Sequence, residues 1–334
     1  MVMINTKLIL KKFASSIRQA SEIIETPVVS PTSGEVLIRN RYVGVNPLYD
    51  CQVCRNKIPQ RSSKLGETLG VEAVGDVVGI GAGVTLLREG DCVSTVTVGS
   101  AYQTYQTAPV EQAIKIPAAT AEYLTLNPTG VSALVSLQQV GNLGSNGTCI
   151  VSAAAGGLGH MLLQLMKAAD NHVIAVCGSS DKAELCSYLG ADRVINYRQE
   201  DLNTVLDNEY PSGIDLAYDS VGQKIFDSFV DHLAIRGRLV SIGHAADLAV
   251  ESPTTVLQPR IYTKLYWKAA SIHGFMNSLF VDHHQKARRE LIDLYQSGRL
   301  KVIVDLKYKG IASIVPASEY LLKGFNLGKV VVSL

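Results

Sequence analysis

The chain has 334 residues, 47% hydrophobic and 18% charged, with a formal net charge of +1. That length allows two domains, and the even charge gives no footing for nucleic acid or an acidic membrane surface. There is no run of about eighteen apolar residues to span a bilayer and no secretory leader, and the six cysteines (51, 54, 92, 149, 177, 186) are too scattered for a disulfide framework, so a cytoplasmic, reducing location is expected.

Lys11, Lys12 and Arg18 beside Ser15 and Ser16 faintly resemble a transit peptide. Glu22 and Glu25 follow closely, and the segment leads into strand-like sequence, so it reads as part of the fold. Residues up to about 120 are β-rich. Positions 34–43 alternate apolar and polar, the period of a half-buried strand. Segments 70–79 and 90–96 repeat the theme with glycine punctuation, and 102–108 and 113–116 add short strands. Such strands predict a barrel-like β unit. From Glu122 the character changes. Residues 133–137 look helical, and strands (148–152, 172–177, 193–195, 215–219, 238–242, 270–275) then alternate with helices (159–169, 181–189, about 201–208, 224–234). The pattern predicts an α/β Rossmann fold, a doubly wound parallel six-stranded sheet. A helix over 281–297 and a strand over 328–332 end the chain. That strand has no neighbour in the nucleotide fold and is expected to return to the β unit. The division expected is 1–122 with 276–334, and 123–275.

The most informative stretch is the turn after strand 148–152: Ala153, Ala154, Ala155, Gly156, Gly157, Leu158, Gly159. An apolar strand, a small-residue turn and an apolar helix present bare N–H groups and a helix N-terminus to a pyrophosphate. Glycine at 156, 157 and 159 removes Cβ atoms that would block close approach. Tight packing without a ligand gives the same turn. The strand that follows makes a strand–helix–strand unit, which favours the dinucleotide. That second strand ends in Cys177, Gly178, Ser179 and Ser180, without the acid that bonds a ribose 2′-OH. Hydroxyls at Ser179 and Ser180 with the Lys182 ammonium suit a 2′-phosphate, so NADP(H) is expected over NAD(H). The same hydroxyls also suit a helix cap.

The order of elements resembles the medium-chain dehydrogenase/reductase superfamily, in its zinc-independent quinone oxidoreductase branch. The motifs cover nearly the whole chain: Gly44-Val45-Asn46-Pro47, Gly70-Val71-Glu72-Ala73-Val74-Gly75, the turn ending at Gly159, Asn196-Tyr197, Asp219-Ser220-Val221-Gly222, Ile242-Gly243 and Asn326-Leu327-Gly328-Lys329. Longer strings, Glu122-Tyr123-Leu124-Thr125-Leu126 and Glu209-Tyr210-Pro211, are similar to the zinc-free prostaglandin reductase group. The resemblance implies a GroES-like β-barrel-type domain beside the Rossmann domain, and 15-keto-prostaglandins or related enones as substrates. It also implies cofactor contacts at Ala155, Gly156, Gly157, Leu158, Gly159, Ser132, Tyr197, Val221, Gly243, Phe275, Met276, Asn326 and Lys329, each with a structural role as the alternative.

Zinc is the rival chemistry in this superfamily. A catalytic zinc needs three protein ligands and an open position. Val71 stands where the family's histidine would precede Glu72, the first-ligand position is held by Val45-Asn46, and Cys51 with Cys54 has no second pair. No metal site is expected. Without one, the substrate must carry its own activation, as a conjugated enone or quinone does, and the protein supplies position and donors. Asn46 is the first candidate donor; the alternative is a turn before Pro47. Tyr262 matches a segment bordering the substrate in prostaglandin reductase relatives; the alternative is aromatic packing at a contact. The loop 54–59, where related enoyl reductases place a tyrosine, has none. Expected functions are an NADPH-dependent enone reductase, a quinone reductase, or a non-catalytic NADPH-binding partner protein. The apolar strand 270–275 is expected to pair with a second copy in a homodimer.

Overall fold

The computed structural model describes residues 2–58, 61–248 and 255–334. Its strands, in chain order, are β1 (Ile4–Leu10), β2 (Ser21–Pro27), β3 (Glu35–Gly44), β4 (Glu72–Ile80), β5 (Cys92–Val96), β6 (Tyr105–Pro109), β7 (Ile114–Lys115), β8 (Thr148–Val151), β9 (His172–Cys177), β10 (Arg193–Asn196), β11 (Ile214–Asp219), β12 (Leu233–Ser241), β13 (Ser271–Gly274), β14 (Val304–Lys309) and β15 (Lys329–Ser333). They fall in two compact units, Met1–Pro128 with Val304–Leu334, and Thr129–Ile303. No helix among the described residues is long and apolar enough to cross a membrane.

In the first unit the sheet order is β14-β15-β3-β4-β5-β7, with β6 also on β3. β4 runs along one edge of β3. The other edge is shared, Glu35 to Arg39 pairing with β6 and Tyr42 to Gly44 with β15. Register slips beside Ile38 and between Asn40 and Tyr42 allow this. Bulges of this kind bend a strand and increase its twist, so one strand serves two partners. The terminal strand β15 returns to this unit, with Val331 opposite Gly44. The N-terminal hairpin β1–β2 is also part of the fold: Leu8, Leu10, Ile17 and Ala20 share a core with Val43, Tyr102, Ile314 and Val330. Arg18 makes a two-bond pair with Glu319 at 2.5 and 2.7 Å.

The helix Pro47–Cys54 was not expected from the sequence. Its buried side is Asp50, Cys51, Val53 and Cys54, so a carboxylate interrupts the apolar stripe that marks a helix. Proline at the first helical position is a start signal, because the missing N–H has no partner there anyway. Strand β14 and the helix Ile314–Leu322 were also missed. β14 is an edge strand with Leu306 exposed, and it lacks the buried alternation that reveals inner strands.

The second unit holds the six-stranded parallel sheet in the order β10-β9-β8-β11-β12-β13. Its core includes Ile150, Ile174, Val176, Ile195, Leu206, Ala217, Phe229 and Leu239. Strands covered on both faces read as continuous apolar runs, which is why β8 and β9 were legible. The helices Gly159–Ala168, Ser180–Tyr188, Leu202–Glu209 and Gln223–Asp231 make the crossovers. The last ends earlier than the expected 224–234, because Leu233 is taken into β12 opposite Ile214 and Arg236 turns the chain at φ 63°. The helix Val281–Gln296 packs on Val131–Ser136 in this unit.

Candidate functional site

In a parallel sheet the carboxyl ends of all strands share one edge. β8 and β11 are neighbours, and the chain leads away from them to opposite sides, through β9 and β10 on one and β12 and β13 on the other. A crevice opens outside the carboxyl ends at such a switch point. The turns after β8 and β11 therefore face it.

Ala153, at φ 46°, reverses the chain after β8. The Ala154 N–H donates to the Val176 carbonyl at 3.1 Å, and the Gly156 N–H to the Ala153 carbonyl at 2.8 Å. The N–H groups of Ala155, Gly157 and Leu158 have no acceptor among the described residues. With the N-terminus of the ten-residue helix Gly159–Ala168 they form a cradle for an anion. Packing and ligand divide between positions. A Cβ at Gly159 would overlap the Ala153 carbonyl, so packing alone demands glycine there. Packing among the described residues leaves the N–H groups at 155, 157 and 158 without an acceptor.

Asp219, at the end of β11, is fully buried. It accepts from the Ser152 hydroxyl at 2.7 Å and from the N–H groups of Val221 and Gly222 at 2.9 and 2.8 Å. The Ser152 oxygen accepts from the Ser220 N–H at 2.9 Å. One carboxylate thus locks both turns of the crevice. Burial pushes its pKa up, against the pull of those donors. His160 braces the same turn: Nδ1 lies 2.9 Å from the Gly156 carbonyl, and Nε2 accepts from the Ile303 N–H at 3.1 Å. The proton therefore sits on Nδ1, and burial lowers the pKa to about 4, so the ring is neutral. Sequence reasoning gave neither residue a role. An acid closing a strand two residues before the first N–H it accepts was the available signal for Asp219.

On the β9–β10 side, Ser179 is extended at the start of the helix Ser180–Tyr188 and its hydroxyl makes no cap bond. Ser180 is exposed and Lys182 half-buried beside it. Tyr197 follows β10, its hydroxyl lying where a Cβ on Gly178 would be, so only glycine fits there. Burial lowers the Lys182 pKa, and the nearby Arg198 guanidinium lowers it further. Arg198, a cation beyond the carboxyl end of the next strand, is a further residue that sequence reasoning missed. On the other side, Val221 follows β11, and Gly243 follows β12, where a Cβ would come 3.1 Å from the Ser220 carbonyl. Phe275 donates its N–H to Ser241 at 3.0 Å and stacks on Phe280 at 5.1 Å, with Met276 exposed beside it. Ser132 lies in the first turn of the helix Val131–Ser136, half-buried.

Tyr262 begins the short helix Tyr262–Tyr266 and is 62% exposed. With Tyr266 and Trp267 it lines a shallow aromatic groove near β13. The sheet order leaves β13 with one unpaired edge.

In the first unit, Asn46 precedes the helix Pro47–Cys54, and its side chain makes no cap bond. Around it lie buried ionisable groups. The Tyr102 hydroxyl donates to Asp50 at 2.7 Å and lies 3.4 Å from the Gly44 carbonyl. The Lys329 ammonium pairs with Glu72 and donates to the Val45 carbonyl at 3.2 Å. A Cβ on Gly44 would overlap the Glu72 carboxyl group. Burial lifts Asp50 from 3.8 to about 7 and raises Glu72 as well. The ammonium of Lys329 is thus engaged inside this unit, and the amide of Asn326 donates to the Gly328 carbonyl at 2.8 Å.

Zinc does not fit the residues present. Among the described residues no three His, Cys, Asp or Glu side chains converge on a metal position. Val71 is buried apolar packing with no metal-binding atom, and Cys51 and Cys54 are both buried. NADP(H) does fit the second unit, through the N–H groups of Ala155, Gly157 and Leu158, which have no acceptor among the described residues, and the cations beyond β9 and β10.

Two family models match: an alcohol dehydrogenase GroES-like domain over residues 32–133 and a zinc-binding dehydrogenase over 157–297. The chain is 36% identical to prostaglandin reductase-3 of Mus musculus, covering 98% of this chain and 89% of that protein. It is 35% identical to a probable quinone oxidoreductase of Leishmania amazonensis, over 79% of each chain. Among solved structures, Escherichia coli quinone oxidoreductase complexed with NADPH is similar, with a TM-score of 0.84 at 25% identity, covering 98% of this chain and 100% of that one. The sheet order, the turn at its switch point and these likenesses agree: the chain belongs to the medium-chain dehydrogenase/reductase superfamily, with the prostaglandin reductases and quinone oxidoreductases.

Proposed function

We propose that this NADPH-dependent oxidoreductase reduces α,β-unsaturated ketones of the 15-keto-prostaglandin kind, adding hydride at the β-carbon. The observation that carries the substrate class is the Asn46 amide, which makes no cap bond and no hydrogen bond among the described residues, beside a rigid buried cluster and with Val71 where a metal-binding side chain would stand. A positioned amide donor stabilises charge as it develops on an oxygen, so it suits a substrate whose conjugation delivers the hydride's charge to that oxygen. The names of relatives support a reductase of this kind and divide over the acceptor: two are called prostaglandin reductase-3, others quinone oxidoreductases.

The bound cofactor supplies the hydride. In our reading, the N–H groups of the turn from Ala155 to Gly159 take the pyrophosphate. Ser179, Ser180, Lys182 and Tyr197, joined by Arg198, take the 2′-phosphate side. Ser132, Val221, Gly243, Phe275 and Met276 line the nicotinamide side. The Asn46 amide donates to the substrate's carbonyl oxygen and holds it as enolate charge builds. Tyr262 keeps a place as a candidate proton donor, although its exposed aromatic strip better suits a subunit contact. We further propose a homodimer through the open edge of β13, flanked by Tyr262, Tyr266 and Trp267, and a cytosolic location, consistent with six free cysteines.

Steady-state NADPH oxidation over a panel of enones and quinones tests the reading. Enones turning over at least about tenfold faster, by kcat/KM, would fit it. Quinones faster than every enone make the chain a quinone reductase, and no turnover with either leaves an NADPH-binding partner protein.

A further inference from the structure

Four buried ionisable side chains crowd around three consecutive residues of the first unit. Glu72 and Asp50 are 0% and 1% exposed, Tyr102 is 0% and Lys329 is 7%. Burying charges is costly, and a well-packed apolar group of similar volume usually gives equal or better stability. Here the groups act on Gly44, Val45 and Asn46. Tyr102 lies 3.4 Å from the Gly44 carbonyl, and Lys329 donates to the Val45 carbonyl at 3.2 Å. The Val45 N–H donates to Val330 in β15 at 3.0 Å, next to Lys329 in the chain. The Asn46 carbonyl accepts from the Asp50 N–H at 3.0 Å. One oxygen of Glu72, Oε2, is buried without a partner among the described residues, so the cluster is not arranged for polar satisfaction alone. The Gly44 and Val45 carbonyls and the Val45 N–H leading to Asn46 are held, while its amide makes no cap bond.

We infer that Asp50, Tyr102, Glu72 and Lys329 are positioning residues for the Asn46 amide, fixing the main chain on both sides of it. This rests on Asn46 as the donor to the substrate oxygen, proposed above. The Lys329 ammonium and the Glu72 carboxylate set where the Val45 carbonyl lies. Asp50 and Tyr102 set the angle at which the helix Pro47–Cys54 leaves Asn46. Small displacements of a positioned donor are expensive in rate, so the effect falls on kcat and spares cofactor affinity.

The test is a double-mutant cycle in the whole enzyme, with an enone substrate. Tyr102→Phe keeps the ring and removes only the hydroxyl. It should lower kcat about tenfold and leave the Kd for NADPH within about twofold. In an Asn46→Ala background the same change should add no further loss, because it acts through that amide. Losses that multiply overturn the inference, as does wild-type kcat in Tyr102→Phe. The pair Glu72→Gln with Lys329→Met removes both charges together and should melt near the wild-type temperature while staying slow. Full turnover in that pair overturns the inference. An Asn46→Ala enzyme at wild-type rate takes down the donor assignment and this inference together. A slow Asn46→Ala with a full-speed Tyr102→Phe takes down this inference alone.

Discussion

Replacing Asp50 with asparagine should stabilise the protein progressively as pH rises. The carboxyl is 1% exposed, and burial lifts its pKa from 3.8 to about 7, although the Tyr102 hydroxyl, Lys329 and the Asn46 N–H all pull it down. A pKa raised by folding gives stability that is complete below the unfolded value, about pH 4, and is lost as pH rises through about 7. Each pH unit across that window is worth about 1.4 kcal/mol, so about three units cost about 4 kcal/mol by pH 8. At pH 5 only about one unit has been crossed, a cost of about 1–2 kcal/mol. Asparagine does not titrate, and its oxygen still accepts from Tyr102. The stability gap between variant and wild type should therefore grow by about 2–3 kcal/mol from pH 5 to pH 8. The other groups facing Asp50, namely Glu72, Lys329, Tyr102, Cys51 and Cys54, are present in both proteins. Urea unfolding without cofactor, followed by far-UV circular dichroism at each pH, measures the gap. The single tryptophan, Trp267, lies in the other unit, so its fluorescence is the wrong probe. A gap flat in pH would refute the argument, because it would mean that no charge is being forced on a buried carboxyl. The same variant should be slower on an enone, since Asp50 helps to hold Asn46.

Three more outcomes are expected. Asp219→Ala strips the acceptor from three donors and should cost about 3–5 kcal/mol, with at least about tenfold weaker NADPH binding by titration. Unchanged affinity would show that the two turns stay in place without the carboxylate. Arg198→Ala should weaken NADPH about tenfold and leave NADH unaffected, a difference read by fluorescence titration of both coenzymes. Equal losses for both would move Arg198 away from the 2′-phosphate. Tyr262→Phe should leave enone turnover within about twofold if the tyrosine serves a contact, while a drop of about a hundredfold would return it to the chemistry.

The sequence by itself determined the parallel sheet of the second unit almost completely. Strands buried on both faces, helices between them and a small-residue turn are local patterns, each carried by neighbouring residues. The crossover order then follows, because parallel strands joined by helices wind right-handedly. The positions of Ala155 to Gly159, Ser179 and Tyr197 at one sheet edge could be placed from those patterns. The first unit was legible only as β-rich, since its curvature depends on slips in β3 that no periodicity marks. Its polar cluster was beyond sequence reasoning. Asp50 and Tyr102 are 52 residues apart, and Glu72 and Lys329 are 257 apart. Lys329 has the same local sequence whether it binds a ligand or a buried carboxylate. Tertiary structure shows its pairing with Glu72, because β15 returns to β3 and carries the ammonium into the protein, where an opposite charge offsets the cost of burial.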